Sequence, residues 1–177
     1  MFRPPDKYRR RDEIDHTLRA TINELIRGER PWPLFLYGKQ GSGKTCAGLC
    51  MMDAFGGWYI QLAQLREMVI QAQKDQLTWP SGHPRTTGDI WKAWARAHLA
   101  VLDEVGQRCE PSQFEYEILK RCLDEREGKP LVVVSNCDLD AISGLYDDRI
   151  ASRLAAGTLI ELEGDRRIEK KLKVVGV

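Results

Sequence analysis

Residues 34–45 read LFLYGKQGSGKT. Four apolar or aromatic residues run directly into the pattern G-x-x-x-x-G-K-[ST], which occupies residues 38–45, and a helix-like run follows it. The order of strand, glycine-rich loop and helix is the context that a phosphate-binding loop requires. The sequence therefore predicts that this chain binds a nucleoside triphosphate. The non-functional alternative is a glycine-rich turn in which the lysine has no binding role.

The residue types in the loop match the chemistry of a bound phosphate. Glycines allow backbone angles and a close approach that a Cβ would block, so successive N–H groups can point at phosphate oxygens. Lys44 can then reach the β- and γ-phosphates, and the Thr45 hydroxyl can take one position on Mg²⁺. The predicted nucleotide-binding residues are Gly38, Lys39, Gln40, Gly41, Ser42, Gly43, Lys44, Thr45 and Cys46.

Composition places the chain among ordinary globular domains. Its 177 residues, 42% of them hydrophobic and 30% charged, favour a single domain with its own core. A formal net charge of +1 makes no general case for nucleic-acid binding. The five cysteines form no C-x-x-C pair, so small core residues are favoured over metal ligands. We expect a cytoplasmic protein, in a bacterium or a phage-infected host cell, because no apolar run approaches membrane-spanning length.

Strand-like and helix-like segments alternate along the chain. The hydrophobic spacing predicts helices over 12–27, 44–55, 62–75, 90–97, 112–127 and 147–155, strands over 34–37, 58–60, 99–102, 131–134 and 158–162, and a loop over 76–89. This alternation predicts a three-layer αβα fold around a five-stranded parallel sheet.

Polar residues follow two of the predicted strands. Asp103 and Glu104 come after one apolar run, and Ser135 and Asn136 end another. Ligands of open parallel sheets bind beyond the carboxyl ends of the strands. We therefore expect Asp103 to hold Mg²⁺ through water, Glu104 to orient or deprotonate an attacking water, and Asn136 to hold that water or the γ-phosphate. The alternatives are an acidic pair that meets solvent and a turn cap, with Asn136 favoured over Ser135 for function.

Two arginines stand four residues apart near the end of the chain. Arg149 and Arg153 would project from the same face of a helix. Two surface arginines alone carry little meaning. In a nucleoside triphosphatase, however, an arginine presented to a neighbouring subunit's γ-phosphate supplies charge to the transition state.

Together, LFLYGKQGSGKT, AVLDEVG, LVVVSNCDLDAI and YDDRIASRL resemble the DnaC/IstB branch of the AAA+ ATPases, which contains bacterial and phage replicative-helicase loaders and ATPase helpers of transposases. The likeness covers about residues 30–163. It implies a P-loop NTPase core of the AAA+ type, with the sensor strand between the two Walker strands. By this resemblance Lys44 and Thr45 belong to Walker A, Asp103 and Glu104 to Walker B, Asn136 is sensor 1, and Arg153 is the arginine finger, with Arg149 as a second candidate.

The resemblance also suggests how the chain is divided. Residues 1–30 read as a basic segment and a helix, 31–163 as the AAA+ core, and 164–177 as a basic tail. The family's loaders carry a separate N-terminal partner-binding domain, whereas about 30 residues precede the core here. We expect no C-terminal helical lid, and Arg166 or Arg167 could substitute weakly for the missing sensor 2. Three readings stay open: the N-terminal residues, with Arg9, Arg10, Arg11 and the helix after them, form a reduced docking element, or the chain is a core fragment, or the partner differs.

The resulting expectation is an ATPase that uses ATP and Mg²⁺ to load or remodel a replicative helicase on DNA, with activity dependent on self-association and DNA. Single-stranded DNA is a further expected partner. Residues 73–92 mix Lys74, Arg85 and Lys92 with Trp79 and Trp91, and residues 165–173 hold five basic and two acidic side chains. Buried tryptophans and a solvated tail are the alternatives for these segments. The rival functions are an ATPase helper of a transposase, a small-molecule kinase, and a module that binds nucleotide without appreciable turnover.

Overall fold

The computed structural model describes residues 16–78, 80–83 and 85–164. Its elements, in chain order, are α1 (His16–Ile26), β1 (Leu34–Tyr37), α2 (Lys44–Phe55), β2 (Gly57–Gln61), α3 (Leu62–Gln73), α4 (Thr87–Arg96), β3 (Leu99–Val105), α5 (Gln113–Glu125), β4 (Leu131–Ser135), α6 (Leu139–Leu145), α7 (Asp148–Ala155) and β5 (Thr158–Glu161). The predicted alternation of strands and helices is confirmed.

The five strands form one parallel sheet in the order β2-β3-β4-β1-β5. β4 therefore lies between β1, which leads into the phosphate-binding loop, and β3, which carries the acidic pair. This is the strand order that the family resemblance implies. The carboxyl ends of β1, β3 and β4 lie side by side at one edge of the sheet, which we call the rim.

Helices cover both faces of the sheet, as the predicted three-layer architecture requires. On one face, α1 and α2 contribute Leu18 and Leu49 to a buried cluster. On the other face, a larger cluster takes residues from α3 to α7, among them Trp94, Leu119 and Leu154. Since both faces of the sheet are covered, the strands read as continuous apolar runs.

The strand that carries the acidic pair is longer than predicted. β3 continues through Asp103 and Glu104 instead of ending at Leu102. Leu102 pairs with Val133 and Val105 with Ser135, so β3 advances three residues while β4 advances two. The extra residue is a β-bulge, which lets the ladder continue beyond the pair and re-aims the side chains at that point.

Two helices also differ from prediction. α4 begins at Thr87 and not at Ile90, because Thr86 and Asp89 form a capping box: the Thr86 hydroxyl accepts from the Asp89 N–H, and the Asp89 carboxylate accepts from the Thr86 N–H. α6 falls in a segment for which no helix was predicted. Its start is fixed by Asp138, whose carboxylate accepts from the Ala141 N–H.

The structural alternative, a buried tryptophan, is right for Trp91 of the 73–92 segment. Trp91 is 4% exposed in the larger core cluster, and the Arg121 guanidinium lies 4.4 Å from the centre of its ring. Its ring is therefore not available to stack on a base. Cys50 and Cys122 are buried, as expected of small core residues, whereas Cys46 and Cys137 are half-buried and Cys109 is exposed.

Several predictions concern residues outside the described ranges: the basic residues Arg9, Arg10 and Arg11, Trp79, the weak sensor 2 candidates Arg166 and Arg167, and the basic tail over 165–173. Within residues 16–164, no helix follows β5. None of the helices described has the length and apolar character needed to cross a bilayer.

Candidate nucleotide site

The loop after β1 has the backbone of a phosphate cradle. Gly38, Gly41 and Gly43 have φ values of 130°, 89° and 95°, a region that residues with a Cβ rarely adopt. At Gly38 a Cβ would also lie 2.3 Å from the Leu162 carbonyl oxygen. Gly43 is the N-cap of α2, so the unpaired N–H groups and the positive end of that helix face the loop.

Lys44 occupies the centre of this loop. Its side chain is 5% exposed, and its Nζ donates to the Gly38 carbonyl at 2.8 Å, the Lys39 carbonyl at 2.7 Å and the Ser42 hydroxyl at 3.3 Å. These acceptors are neutral oxygens. Phosphate oxygens carry full charge and make stronger hydrogen bonds with an ammonium group. The position of Lys44 therefore fits a nucleotide phosphate held by the loop.

The other loop residues differ in exposure. Ser42 is buried with Lys44; Gly38, Gly41, Gly43, Thr45 and Cys46 are half-buried; Lys39 and Gln40 are exposed. Thr45 is the second residue of α2, next to Lys44.

Asp103 is a buried carboxylate held by two hydrogen bonds. It is 2% exposed; its Oδ1 accepts from the Glu104 N–H at 2.8 Å and its Oδ2 from the Tyr59 hydroxyl at 2.6 Å. Burial, followed by the charge of Asp103, raises the pKa of Tyr59, so the phenol remains a donor. A carboxylate offers about four acceptor positions, so both oxygens keep one free. Together with the Thr45 hydroxyl, Asp103 is a hard-oxygen donor of the kind that suits Mg²⁺, directly or through water.

Glu104 combines a strained backbone with a perturbed carboxyl group. Its φ is 60°, the left-handed region, which costs a residue with a Cβ on the order of 1–3 kcal/mol. Burial, and then the charge of Asp103, raises the pKa of the Glu104 carboxyl. A raised pKa brings a carboxylate closer to the strength of a useful general base at neutral pH.

The two polar residues at the end of β4 have different surroundings. Ser135 is 1% exposed; its hydroxyl donates to the Val105 carbonyl at 2.7 Å and accepts from the Cys137 N–H at 2.9 Å. Ser135 therefore joins β4 to the bulged end of β3 and caps the turn that follows, which is the structural alternative given above for this residue. Asn136 is exposed immediately beyond the strand, at the rim.

Solved structures provide the comparison that decides the fold family. This chain is similar to the replication initiator DnaA bound to AMPPCP and single-stranded DNA (19% identity, TM-score 0.69, 92% of this chain and 52% of the other). It is also similar to DnaI (16%, TM-score 0.69, 90% and 95%) and to the DnaC helicase loader (12%, TM-score 0.64, 83% and 86%). This chain shares its fold with these DnaA, DnaI and DnaC structures. The predicted resemblance is confirmed at the level of the fold.

The chain spans about half the length of the DnaA structure it matches, and most of DnaI. No protein-family model matches the sequence, and no curated protein matches it.

The two predicted site arginines lie on α7. Arg149 and Arg153 are both exposed, while Ile150 and Leu154 of the same helix are buried. The Arg153 guanidinium contacts the Asp124 carboxylate of α5, and each of the two side chains is more than two-fifths exposed. An ion pair this exposed contributes about 0–1 kcal/mol, so Arg153 can exchange Asp124 for another anion at little cost.

The sequence did not predict three side chains that shape the site and its surroundings, which are Tyr59, Arg126 and Tyr146. Tyr59 is separated from Asp103 by 44 residues. Arg126, buried at 2% exposure, donates to the Ala97 carbonyl at 2.7 Å and the Ala95 carbonyl at 3.3 Å, and so caps the C-terminus of α4. Burial lowers the pKa of Arg126. Tyr146 joins α6 to the loop after Glu104. For Tyr146 and the helix α6 before it, the sequence contains one local signal, which is the N-cap residue Asp138 at the start of α6.

Proposed function

We propose that this chain is an AAA+ ATPase that loads or remodels a replicative DNA helicase on DNA, in the cytoplasm of a bacterium or a phage-infected cell. One observation carries the proposal: the strand order puts β4 between β1 and β3, so that Lys44, the Asp103–Glu104 pair and Asn136 share one rim. These residues together favour water as the acceptor of the γ-phosphate. A kinase, which transfers the phosphate to another acceptor, or a module that only binds nucleotide, does not require this combination.

Nucleotide binding follows from the loop geometry. Backbone N–H groups over 38–45 and the N-terminus of α2 receive the phosphate oxygens, and Lys44 exchanges its carbonyl acceptors for the β- and γ-phosphates. Thr45 and Asp103 are the residues that hold Mg²⁺, which when bound offsets the charge on the phosphate oxygens. Tyr59 keeps the Asp103 carboxylate in its orientation.

Hydrolysis is assigned to the side chains beyond the γ-phosphate. Glu104 orients a water and accepts its proton as the oxygen attacks phosphorus, and Asn136 holds that water or the phosphate by a hydrogen bond. Arg153 of an adjacent subunit leaves its exposed pair with Asp124 and supplies positive charge to the transition state, with Arg149 as the second candidate. ATP then bridges two subunits, and its hydrolysis weakens the assembly.

The replication role is supported by the structural neighbours. One carries the name helicase loader, and another is an initiator seen with AMPPCP and single-stranded DNA. DnaI is matched over 95% of its length. We extend those printed roles to this chain as a proposal: its partners are a replicative helicase, single-stranded DNA and further copies of itself.

The test is capture of the host's purified replicative helicase by the immobilised full-length chain with Mg·ATP, combined with phosphate release in the presence of single-stranded or duplex DNA. We expect capture by wild type and loss of capture by Lys44→Ala. Stimulation by duplex DNA without helicase capture would indicate a transposition helper instead. Transfer of the γ-phosphate to a small acceptor, with no phosphate released to water, would indicate a kinase.

A further inference from the structure

Gly106 lies two residues after Glu104, and both its backbone N–H and its carbonyl group form hydrogen bonds with side chains. Its N–H donates to the Tyr146 hydroxyl at 3.3 Å, and its carbonyl accepts from the Cys137 thiol at 3.4 Å. Its φ is 75°, and a Cβ there would lie 3.2 Å from the Cys137 sulfur. The loop after the acidic pair is therefore held at one point by the segment after Asn136 and by the junction before α7.

Tyr146 makes two hydrogen bonds at once. Its hydroxyl accepts from Gly106 and donates to the Glu115 Oε1 at 3.2 Å, which uses its donor and one of its acceptor positions. Glu115 is 3% exposed, and its other oxygen lies 3.7 Å from the Arg108 Nε. Burial, followed by the charge of Glu115, raises the pKa of Tyr146, which keeps the phenol protonated.

The residue after Tyr146 controls the start of α7. Asp147 caps that helix by accepting from the Ile150 N–H at 2.8 Å, and it accepts from the Tyr116 hydroxyl at 2.7 Å. Glu115 and Tyr116, consecutive in the first turns of α5, therefore hold the consecutive residues Tyr146 and Asp147. One hydrogen bond therefore joins the backbone two residues after Glu104 to Tyr146, and the chain continues from Tyr146 through Asp147 into α7, which carries Arg149 and Arg153.

We propose that Tyr146 is a positioning residue that couples the Glu104 loop to α7, so that engagement of α7 by a neighbouring subunit also sets the position of Glu104. This inference rests on the proposed function, since it assumes hydrolysis at Glu104 and action of Arg153 in trans. Coupling of this kind is reciprocal: a nucleotide that orders the loop also orders α7 for the neighbour.

The test uses Tyr146→Phe, which removes the hydroxyl and keeps the ring. Tyr116→Phe is the matched control, because it removes the neighbouring hydroxyl from the α7 cap without touching Gly106. We expect Tyr146→Phe to lower kcat on the order of tenfold, the loss of about one hydrogen bond's contribution, with Mg·ATP affinity within about twofold of wild type. Tyr116→Phe should have a clearly smaller effect on kcat.

A double-mutant cycle distinguishes coupling from simple damage. If Tyr146 couples Arg153 to Glu104, the Tyr146→Phe/Arg153→Ala double variant should turn over ATP within about twofold of Arg153→Ala alone. Independent, multiplying effects, or an unchanged kcat in Tyr146→Phe, would overturn the inference. Should Tyr146→Phe fail to fold, Glu115→Gln replaces it: weakening the Glu115 hydrogen bond that orients the Tyr146 hydroxyl should lower kcat about threefold, and an unchanged kcat would overturn the inference equally.

Failure of the proposed function and failure of the proposed role of Tyr146 give different results. If the wild type does not hydrolyse ATP, the proposed function fails. If the wild type hydrolyses ATP and Arg153→Ala slows it, but the cycle shows no coupling, only the role of Tyr146 fails.

Discussion

The backbone at Glu104 makes a specific prediction about stability and activity. Its φ of 60° is a conformation that glycine adopts at little cost, whereas a Cβ adds about 1–2 kcal/mol. We compare Glu104→Gly with Glu104→Ala, since both remove the carboxyl group and the comparison isolates the backbone. Both variants should lose ATP hydrolysis, because the proposed base is gone.

The expected difference is a balance of two opposed effects. Glycine relieves about 1–2 kcal/mol in the folded state, but its freer unfolded chain costs about 0.4–1 kcal/mol relative to alanine. The net gain for Glu104→Gly is about 0.5–1 kcal/mol over Glu104→Ala. For a chain of this size that raises Tm by about 1–4 °C, which thermal unfolding followed by circular dichroism can resolve.

A second position provides the control. Asp75, just after α3, is also in the left-handed region, with a φ of 55°, and it is exposed. The Asp75→Gly and Asp75→Ala pair should show a similar difference in Tm without loss of hydrolysis. The reasoning is refuted if Glu104→Ala is as stable as Glu104→Gly, or if either variant still hydrolyses ATP at the wild-type rate.

Three further predictions concern the same rim. Burial raises the pKa of Glu104 in the folded state, so ionisation of this carboxyl group opposes folding. The cost in unfolding free energy is absent below the ordinary pKa near 4.5 and grows as the pH rises through the raised value. In urea titrations, Glu104→Gln should therefore have a higher unfolding free energy than wild type at pH 7 but not at pH 3.5. A constant difference across that range would contradict this. Tyr59→Phe should raise the Mg²⁺ concentration for half-maximal binding of a fluorescent ATP analogue at least about tenfold, by releasing Asp103; an unchanged midpoint would show that the hydroxyl does not position the carboxylate. Arg153→Ala and Glu104→Gln should each hydrolyse ATP far more slowly than wild type but regain phosphate release when mixed, because each supplies what the other lacks; no recovery would favour action in cis.

The sequence predicted best what local chemistry controls. The loop over 38–45 and the full extent of α2 agree with prediction, because glycine spacing and helix periodicity are local properties. The bulge in β3 was missed, since it appears only when that strand is paired with β4. α4 begins before its predicted start, because the capping box at Thr86 stabilises the first turn more than the glycine that follows destabilises it.

The side chains that support the site were harder to predict. Tyr59 and Asp103 meet across 44 residues, and Gly106 and Tyr146 across 40, and nothing in the spacing of either pair indicates contact. Both contacts depend on which strands and helices become neighbours. The roles of Asn136, Arg149 and Arg153 stay predictions, because they depend on a bound nucleotide and a second subunit.

The central claim is that the rim binds Mg·ATP through Lys44, and isothermal titration of the full-length chain tests it directly. We predict saturable binding of one ATP per chain in the presence of Mg²⁺. Loss of two charge-assisted hydrogen bonds, about 1.5–3 kcal/mol each, should weaken binding by Lys44→Ala at least about a hundredfold, while Lys120→Ala, an exposed lysine on α5, should bind as wild type does. Absence of Mg·ATP binding by the folded wild type, or equal binding by Lys44→Ala, would contradict the account.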